Sequence, residues 1–327
     1  MKSIDSYWDT INTVSIVLLP LSWLFCLLAW LRRLAYRMGL FGSKKLPLPV
    51  IVVGNITVGG AGKTPLVIWL ADYLKGKGYR PGIVSRGYGG TSGQWPQRVE
   101  PESDPKMVGD EPVLIARRTG CPMWVGPDRV KAARALVEEG QCDIILSDDG
   151  MQHYALKRDI EIAVVDGRRL FGNGLCLPAG PLRERQSRLG SVDLVIANGG
   201  ELEGYPGMTL LPVSVAKVSD PLQRTELGSF RGSSVHAVAG IGSPARFFNT
   251  LRETDIEVIE HGFPDHHRFE AEDIAFDDEL PVLMTEKDAV KCASFARKYH
   301  WYLEVDADPE EAFVERLDEL IRGLKDG

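Results

Sequence analysis

The stretch LPVIVVGNITVGGAGKT, residues 48–64, decides how the rest of the chain is read. Leu48 to Val53 is a short run rich in β-branched side chains, the pattern of a strand buried on both faces. A Gly-rich turn follows, and Thr64 to Lys75 then carries helical spacing. The turn, TVGGAGKT, lies close to the phosphate-loop pattern G-x-x-x-x-G-K-[ST]. Thr57 stands where that pattern has its first glycine, and Gly59, Gly60 and Gly62 supply the flexibility. Glycines at positive φ let backbone N–H groups turn inward around phosphate oxygens, and the helix N-terminus adds its dipole. Thr57, Val58, Gly59, Gly60, Ala61 and Gly62 would thus form a phosphate cradle. Lys63 would reach the β and γ phosphates of ATP, and the Thr64 hydroxyl would bind Mg²⁺. A bare match also describes an ordinary Gly-rich turn. Its position between a buried strand and a helix favours the phosphate reading.

Outward from this unit, strand and helix signals alternate. Arg80 to Ser85, Asp143 to Leu146, Ile160 to Val165 and Val192 to Ala197 read as strands, and Glu111 to Arg118 and Asp128 to Glu139 as helices. That alternation predicts an α/β fold: a P-loop NTPase-like parallel sheet covered by helices. A second block starts near Asp220. Strands are expected at 235–239, 258–261, 282–284 and 301–305, with helices at 244–252 and 309–324. This block reads as a smaller C-terminal α/β domain, and Glu201 to Ser219, with Pro206 and Pro212, as the connector. The expected division is 1–45, 46–219 and 220–327.

A phosphate loop needs carboxylates at the end of a neighbouring strand to hold Mg²⁺. Asp148 and Asp149 stand at such an end, in DIILSDDG. A strand-end turn uses the same Asp-Gly pair, but beside a phosphate loop the metal reading is the stronger one. Glu184 and Arg183 sit in a loop, PAGPLRERQ, and carry no signal by themselves. Transfer to a hydroxyl also needs a base. Asp110, in MVGDEP, reads alone as a helix cap. His266, in FPDHHRF, reads alone as an ordinary loop histidine. Nothing in their spacing joins the two.

The net charge of −7 argues against non-specific nucleic-acid binding. The five cysteines form no C-x-x-C pair, so neither a disulfide framework nor a thiolate metal site is expected, and a reducing compartment fits. Thr10 to Leu31 contains no charged side chain. At helical rise it would extend roughly 33 Å, about the thickness of a bilayer core. Arg32, Arg33, Arg37, Lys44 and Lys45 follow it, which places the remainder on the cytoplasmic side. The absence of a small-residue cleavage site disfavours a signal peptide. Asn12, Ser15 and Ser22 on one rough face, and Pro20 within the run, leave a spanning helix, an interfacial helix and a core helix open.

The motifs in order are TVGGAGKT, SRGYGG from Ser85, VGDEP from Val108, DDGMQHY from Asp148, FGNGLCLPAGPLRE from Phe171, AGIGSPARFF from Ala239, FPDHH from Phe263 and LMTEKDAVKC from Leu283. Together they resemble the tetraacyldisaccharide 4'-kinase family of lipid A biosynthesis, from the apolar segment nearly to the C-terminus. The resemblance implies transfer of the ATP γ-phosphate to the 4'-hydroxyl of a tetraacylated glucosamine disaccharide 1-phosphate. It implies Mg²⁺, a cleft between two domains, and the cytoplasmic face of the bacterial inner membrane. No obligate protein partner is implied. Residue by residue, it makes Lys63 and Thr64 the phosphate-loop pair and Asp148, Asp149 and Glu184 the acidic metal-site residues. Asp110 becomes the base and His266 its orienting partner. Ser85, Arg86, Tyr88, His153 and Arg183 fall near the headgroup and phosphates of the acceptor.

Two other classes compete with this reading. In a membrane-tethered GTPase switch, TEKD (285–288) would serve guanine recognition, but Lys287 stands one place too late. A structural protein with a dead nucleotide fold would have no use for intact Lys63, Thr64, Asp148 and Asp149.

Overall fold

The computed structural model describes residues 7–324. The first six positions of the expected 1–45 segment and the last three of the 220–327 segment lie outside the described residues. In chain order the helices are α1 (Thr13–Arg37), α2 (Lys63–Gly76), α3 (Pro105–Val108), α4 (Asp110–Thr119), α5 (Arg129–Glu138), α6 (Pro244–Arg252), α7 (Glu286–Cys292) and α8 (Glu311–Gly323). The strands are β1 (Val50–Gly54), β2 (Pro81–Ser85), β3 (Gln97–Val99), β4 (Met123–Val125), β5 (Ile144–Ser147), β6 (Ile160–Asp166), β7 (Leu194–Asn198), β8 (Gly207–Lys217), β9 (Arg224–Thr225), β10 (Ser234–Ala239), β11 (Glu257–Gly262), β12 (Val282–Thr285) and β13 (His300–Pro309).

Among the described residues thirteen strands join one sheet, ordered β11-β10-β12-β13-β8-β7-β6-β1-β5-β2-β4-β3, with β9 paired to β8. Around β1 the pairing is parallel, with β5 on one side and β6 on the other. Parallel central strands are covered on both faces, and β1 shows it: Ile51 and Val53 pack into one layer with α2, while Val50 and Val52 pack into the other with α5. Leu66, Leu70 and Leu74, one turn apart on α2, are fully buried in the first layer. Each such side chain contributes ~1.5–3 kcal/mol on burial.

The segment 201–219, expected as a connector, contains β8, an eleven-residue strand. Its exposed middle, Leu211 to Val213, and Pro212 hide the strand signal, with Pro206 just before it. β8 pairs in parallel with β7 over two residues and antiparallel with β13 along most of its length. It thereby welds the two halves into one sheet. Helix α8 then packs back on the first half: Phe313, Leu317 and Ile321 enter the core of α2, and the Tyr73 hydroxyl donates to Asp318 at 2.7 Å.

Helix α1 lies against the body by its small and polar stripe. Ser15, Ser22 and Cys26 are buried, and the Ser22 hydroxyl donates to the Cys176 carbonyl at 2.7 Å. Val17, Trp23, Leu24, Leu28 and Trp30 are exposed. Cys26 is joined to Cys176 in a disulfide, Cα to Cα 6.1 Å. This corrects the expectation of no disulfide: the two cysteines are 150 positions apart, and only the fold brings them together.

Candidate active site

The loops that leave the carboxyl ends of β1, β2, β5 and β7 share one edge, because these strands are parallel. Open α/β sheets bind ligands outside that edge. The β1 loop is the expected phosphate cradle. Gly59 and Gly62 hold φ of 105° and 89°, and Gly62 opens α2 in the left-handed conformation. A Cβ on Gly62 would lie 2.1 Å from Nδ2 of Asn198, which donates to the Ala61 carbonyl at 3.1 Å. The buried end of β7 thus supports the cradle from below. On its outer limb Val58 donates to the Pro181 carbonyl at 2.8 Å, and Thr57 bridges Leu182. From the second half, the turn after β10 comes so close that a Cβ on Gly242 would lie 3.1 Å from the Gly60 nitrogen. Thr64, half-buried, begins α2 beside Lys63.

At the end of β5 the two aspartates take different environments. Asp149 sits in the left-handed region, φ 46°, with Lys63 at 3.4 Å and Arg183 at 3.2 Å. Burial pushes its carboxyl up, but the charges of Lys63 and Arg183 outweigh that and hold it at about 2. Asp148 is buried. One of its oxygens accepts from the Ser85 hydroxyl at 2.9 Å, and the other has no hydrogen-bond partner. Burial, with the nearby charges of Glu111 and Asp149, pushes its carboxyl up to about 7.

Glu184 is further back. Its carboxylate accepts from Gln152 at 2.9 Å and from the Tyr154 hydroxyl, with Arg188 at 3.5 Å. Gln152 in turn accepts from Arg183 at 3.4 Å, so Glu184 reaches Asp149 through two side chains rather than directly. Among the described residues no three His, Cys, Asp or Glu side chains form a ready metal cage. His153 has an unpartnered buried Nε2, and burial with the charge of Arg129 lowers its ring to about 4. Arg86 and Tyr88 are exposed on the loop after β2.

The fold joins what spacing could not. Asp110 is the first residue of α4, not its cap; Gly109 holds the cap position at φ 99°. The Nδ1 of His266 stands 3.3 Å from Asp110 Oδ2, while Oδ1 accepts from the Glu111 nitrogen at 2.9 Å. Burial pushes the Asp110 carboxyl up. The His266 hydrogen bond and the charges of Lys287 and Lys291 reverse this and hold it at about 2. Asp110 in turn raises the His266 ring above its ordinary value, against burial. His266 holds φ 58°, a conformation costly for a non-glycine residue, and its ring packs 4.8 Å from that of Tyr88. His267 turns away to Asp273, at 3.0 Å.

Sequence reasoning missed several members of the site. Lys287 bridges Glu111 at 3.0 Å and Asp265 at 3.3 Å, and lies 3.4 Å from His266 Nε2. Lys291 stands 3.9 Å from Asp110. Buried Arg129 donates to the Asp149 carbonyl at 3.4 Å. Two lysines on a seven-residue helix and an arginine in an amphipathic one carry no local signal. Only the quoted LMTEKDAVKC motif pointed at the lysines.

The known proteins that this chain is similar to agree with one another. A family model described as Tetraacyldisaccharide-1-P 4'-kinase matches residues 14–322. A protein of Nitrosococcus oceani named Tetraacyldisaccharide 4'-kinase is 54% identical over 316 residues, which are 97% of this chain and 93% of that protein. One of the same name from Alkalilimnicola ehrlichii is 55% identical over 311 residues, 93% of this chain and 92% of that protein. Among solved structures, the "apo" form of LpxK from Aquifex aeolicus in complex with ATP superposes with a TM-score of 0.80 at 28% identity, over 95% of this chain and 99% of that one. The match of family, length and fold makes this chain a member of the tetraacyldisaccharide-1-P 4'-kinase family.

Proposed function

We propose that this chain transfers the γ-phosphate of ATP to the 4'-hydroxyl of a tetraacyldisaccharide 1-phosphate at the cytoplasmic face of the bacterial inner membrane. The observation that carries the reading is the Asp110–His266 contact, made across the two halves beside a phosphate cradle. The cradle binds the triphosphate, and Lys63 exchanges Asp149 for phosphate oxygens as ATP arrives. Asp110 accepts the proton of the acceptor hydroxyl, and His266, bonded to its second oxygen, fixes its aim. Arg183, His153, Ser85, Arg86 and Tyr88 line the approach from the acceptor side. The domain division expected at 46–219 and 220–327 gives the cleft its two walls. Closure between them excludes water and limits hydrolysis.

The donor set suits a hard cation: Asp148 has a buried oxygen without a partner, and its carboxyl is pushed up by burial and by the negative charge of Glu111 and Asp149. A Mg²⁺ ion held by Thr64, Asp148 and Asp149, with Glu184 behind them, would neutralise charge on the transferred group. The exposed apolar flank of α1, whose other face is docked on the body, supports a helix lying in one leaflet rather than crossing it.

The test is transfer of label from [γ-³²P]ATP to tetraacyldisaccharide 1-phosphate in detergent micelles, with Mg²⁺ or with EDTA. Metal-dependent formation of a bis-phosphorylated lipid is expected. A folded, ATP-binding protein that labels no such acceptor overturns the substrate assignment.

A further inference from the structure

A second charged site lies away from the phosphate cradle, where α1 ends against the body. Here a cavity of about 400 Å³ opens between α1, the segment after Tyr154 and the turn at Ser191. Five cations line it: Arg33, Arg37, Lys157, Arg158 and Arg188. Two of them are matched. Arg158 bonds Glu161 at 2.6 Å, and Arg188 bonds Glu161 as well and approaches Glu184. The other three are not. Arg33 donates to the Ser191 hydroxyl at 2.6 Å, and among the described residues neither it, Arg37 nor Lys157 has a carboxylate within ion-pair reach. Uncompensated cations gathered around a cavity repel one another, and an anion in their midst offsets that cost. Its volume suits a small headgroup rather than a bare ion.

The cavity's place on the molecule narrows the anion. Arg33 and Arg37 are one turn apart on α1, and the same helix exposes Trp23, Leu27, Leu28 and Trp30 one to three turns earlier. An anion reaching this cavity from a leaflet that holds those side chains needs no excursion into solvent. We propose that the cavity binds the phosphate of an anionic phospholipid in the leaflet where α1 lies, orienting the kinase on the membrane. This rests on the interfacial placement of α1 proposed above. Basic segments at the membrane surface gain about fivefold in binding per cation from anionic lipid.

Full-length protein would be floated with phosphatidylcholine vesicles and with vesicles carrying one-fifth phosphatidylglycerol. The variants are Arg33→Gln/Arg37→Gln/Lys157→Gln and, as an equal change of charge outside the cavity, Arg32→Gln/Lys44→Gln/Lys45→Gln. Wild type should bind the anionic vesicles at least about tenfold more tightly than neutral ones. The cavity variant should lose most of that preference and keep its neutral-vesicle binding, while the control retains it. Equal loss in both variants would reduce the effect to diffuse charge and overturn the site. A wild type without preference overturns it too, and binding to neither vesicle overturns the placement of α1 first. Inorganic phosphate, tested against chloride at matched ionic strength, separates the sources: release by low millimolar phosphate would make the ligand a free anion. A tenfold rise in acceptor KM in the cavity variant, assayed in micelles, would instead assign the cavity to the acceptor's own phosphate. Either result refutes the phospholipid.

Discussion

The phosphate cradle and the base site are adjacent, yet they are built in opposite ways. The cradle is local: one strand, eight loop residues and one helix start, continuous from residue 50 to residue 64. The base site is assembled. Asp110 comes from the start of α4, His266 from the loop after β11, and Lys287 from α7. Each contacts residues far along the chain as well as its own neighbours in sequence. A local device tolerates movement of the two halves. An assembled one depends on it, because Asp110 and His266 come from opposite halves.

Substitutions can break that contrast. Lys63→Ala should have the largest effect, lowering kcat by about 10³-fold or more with the melting temperature unchanged, measured by transfer assay and circular dichroism. Retained turnover would sink the cradle assignment. Asp110→Ala should lower kcat by about 10²–10⁴-fold and leave the Kd for ATP alone. Equal loss in both quantities would make Asp110 a structural cap.

The next comparison is within the histidine doublet. His266→Gln should cost roughly 10–100-fold in kcat, and His267→Gln, which loses its contact to Asp273 and its packing on Phe263 and Phe269, less than about threefold. The pH profile sharpens this. A base must be ionised, so its activity is lost as pH falls through its pKa. In the wild type that limb lies near 2, below any working pH. Without His266 burial is less opposed, the Asp110 pKa rises, and the acid limb of kcat/KM should move to higher pH. Stability follows the same sign. The depressed Asp110 pKa contributes stability that is complete above about 4 and lost as pH falls toward 2, and His266→Gln should shrink that loss.

The smallest effect tests the cradle's backbone. Gly62→Ala places a Cβ against Asn198 at a positive φ and should cost ~1–3 kcal/mol in stability, whereas Gly76→Ala, with open space around it, should be near neutral or stabilising. Equal melting temperatures would show that the loop adapts and that Asn198 does not fix it.

The chain's sequence determined the parallel sheet around β1, the glycine-rich turn that leads into α2, the aspartates at the end of β5 and the apolar character of α1. These are local patterns: a period of two or 3.6 residues, a glycine where φ must be positive, a carboxylate at a strand end. The motif resemblance added Asp110 and His266 as a pair, which their spacing does not suggest. Tertiary structure alone decided the rest. It made β8 a strand, since pairing with β13 satisfies a backbone whose side chains look like a connector's. It joined Cys26 to Cys176 and turned the serine stripe of α1 inward. It chose His266 over His267 for Asp110 and brought Lys287 between Glu111 and Asp265. The physical reason is common to these cases. Ion pairs, disulfides and sheet edges are satisfied by partners far along the chain, and their energy depends on distance in space, which periodicity and spacing do not encode.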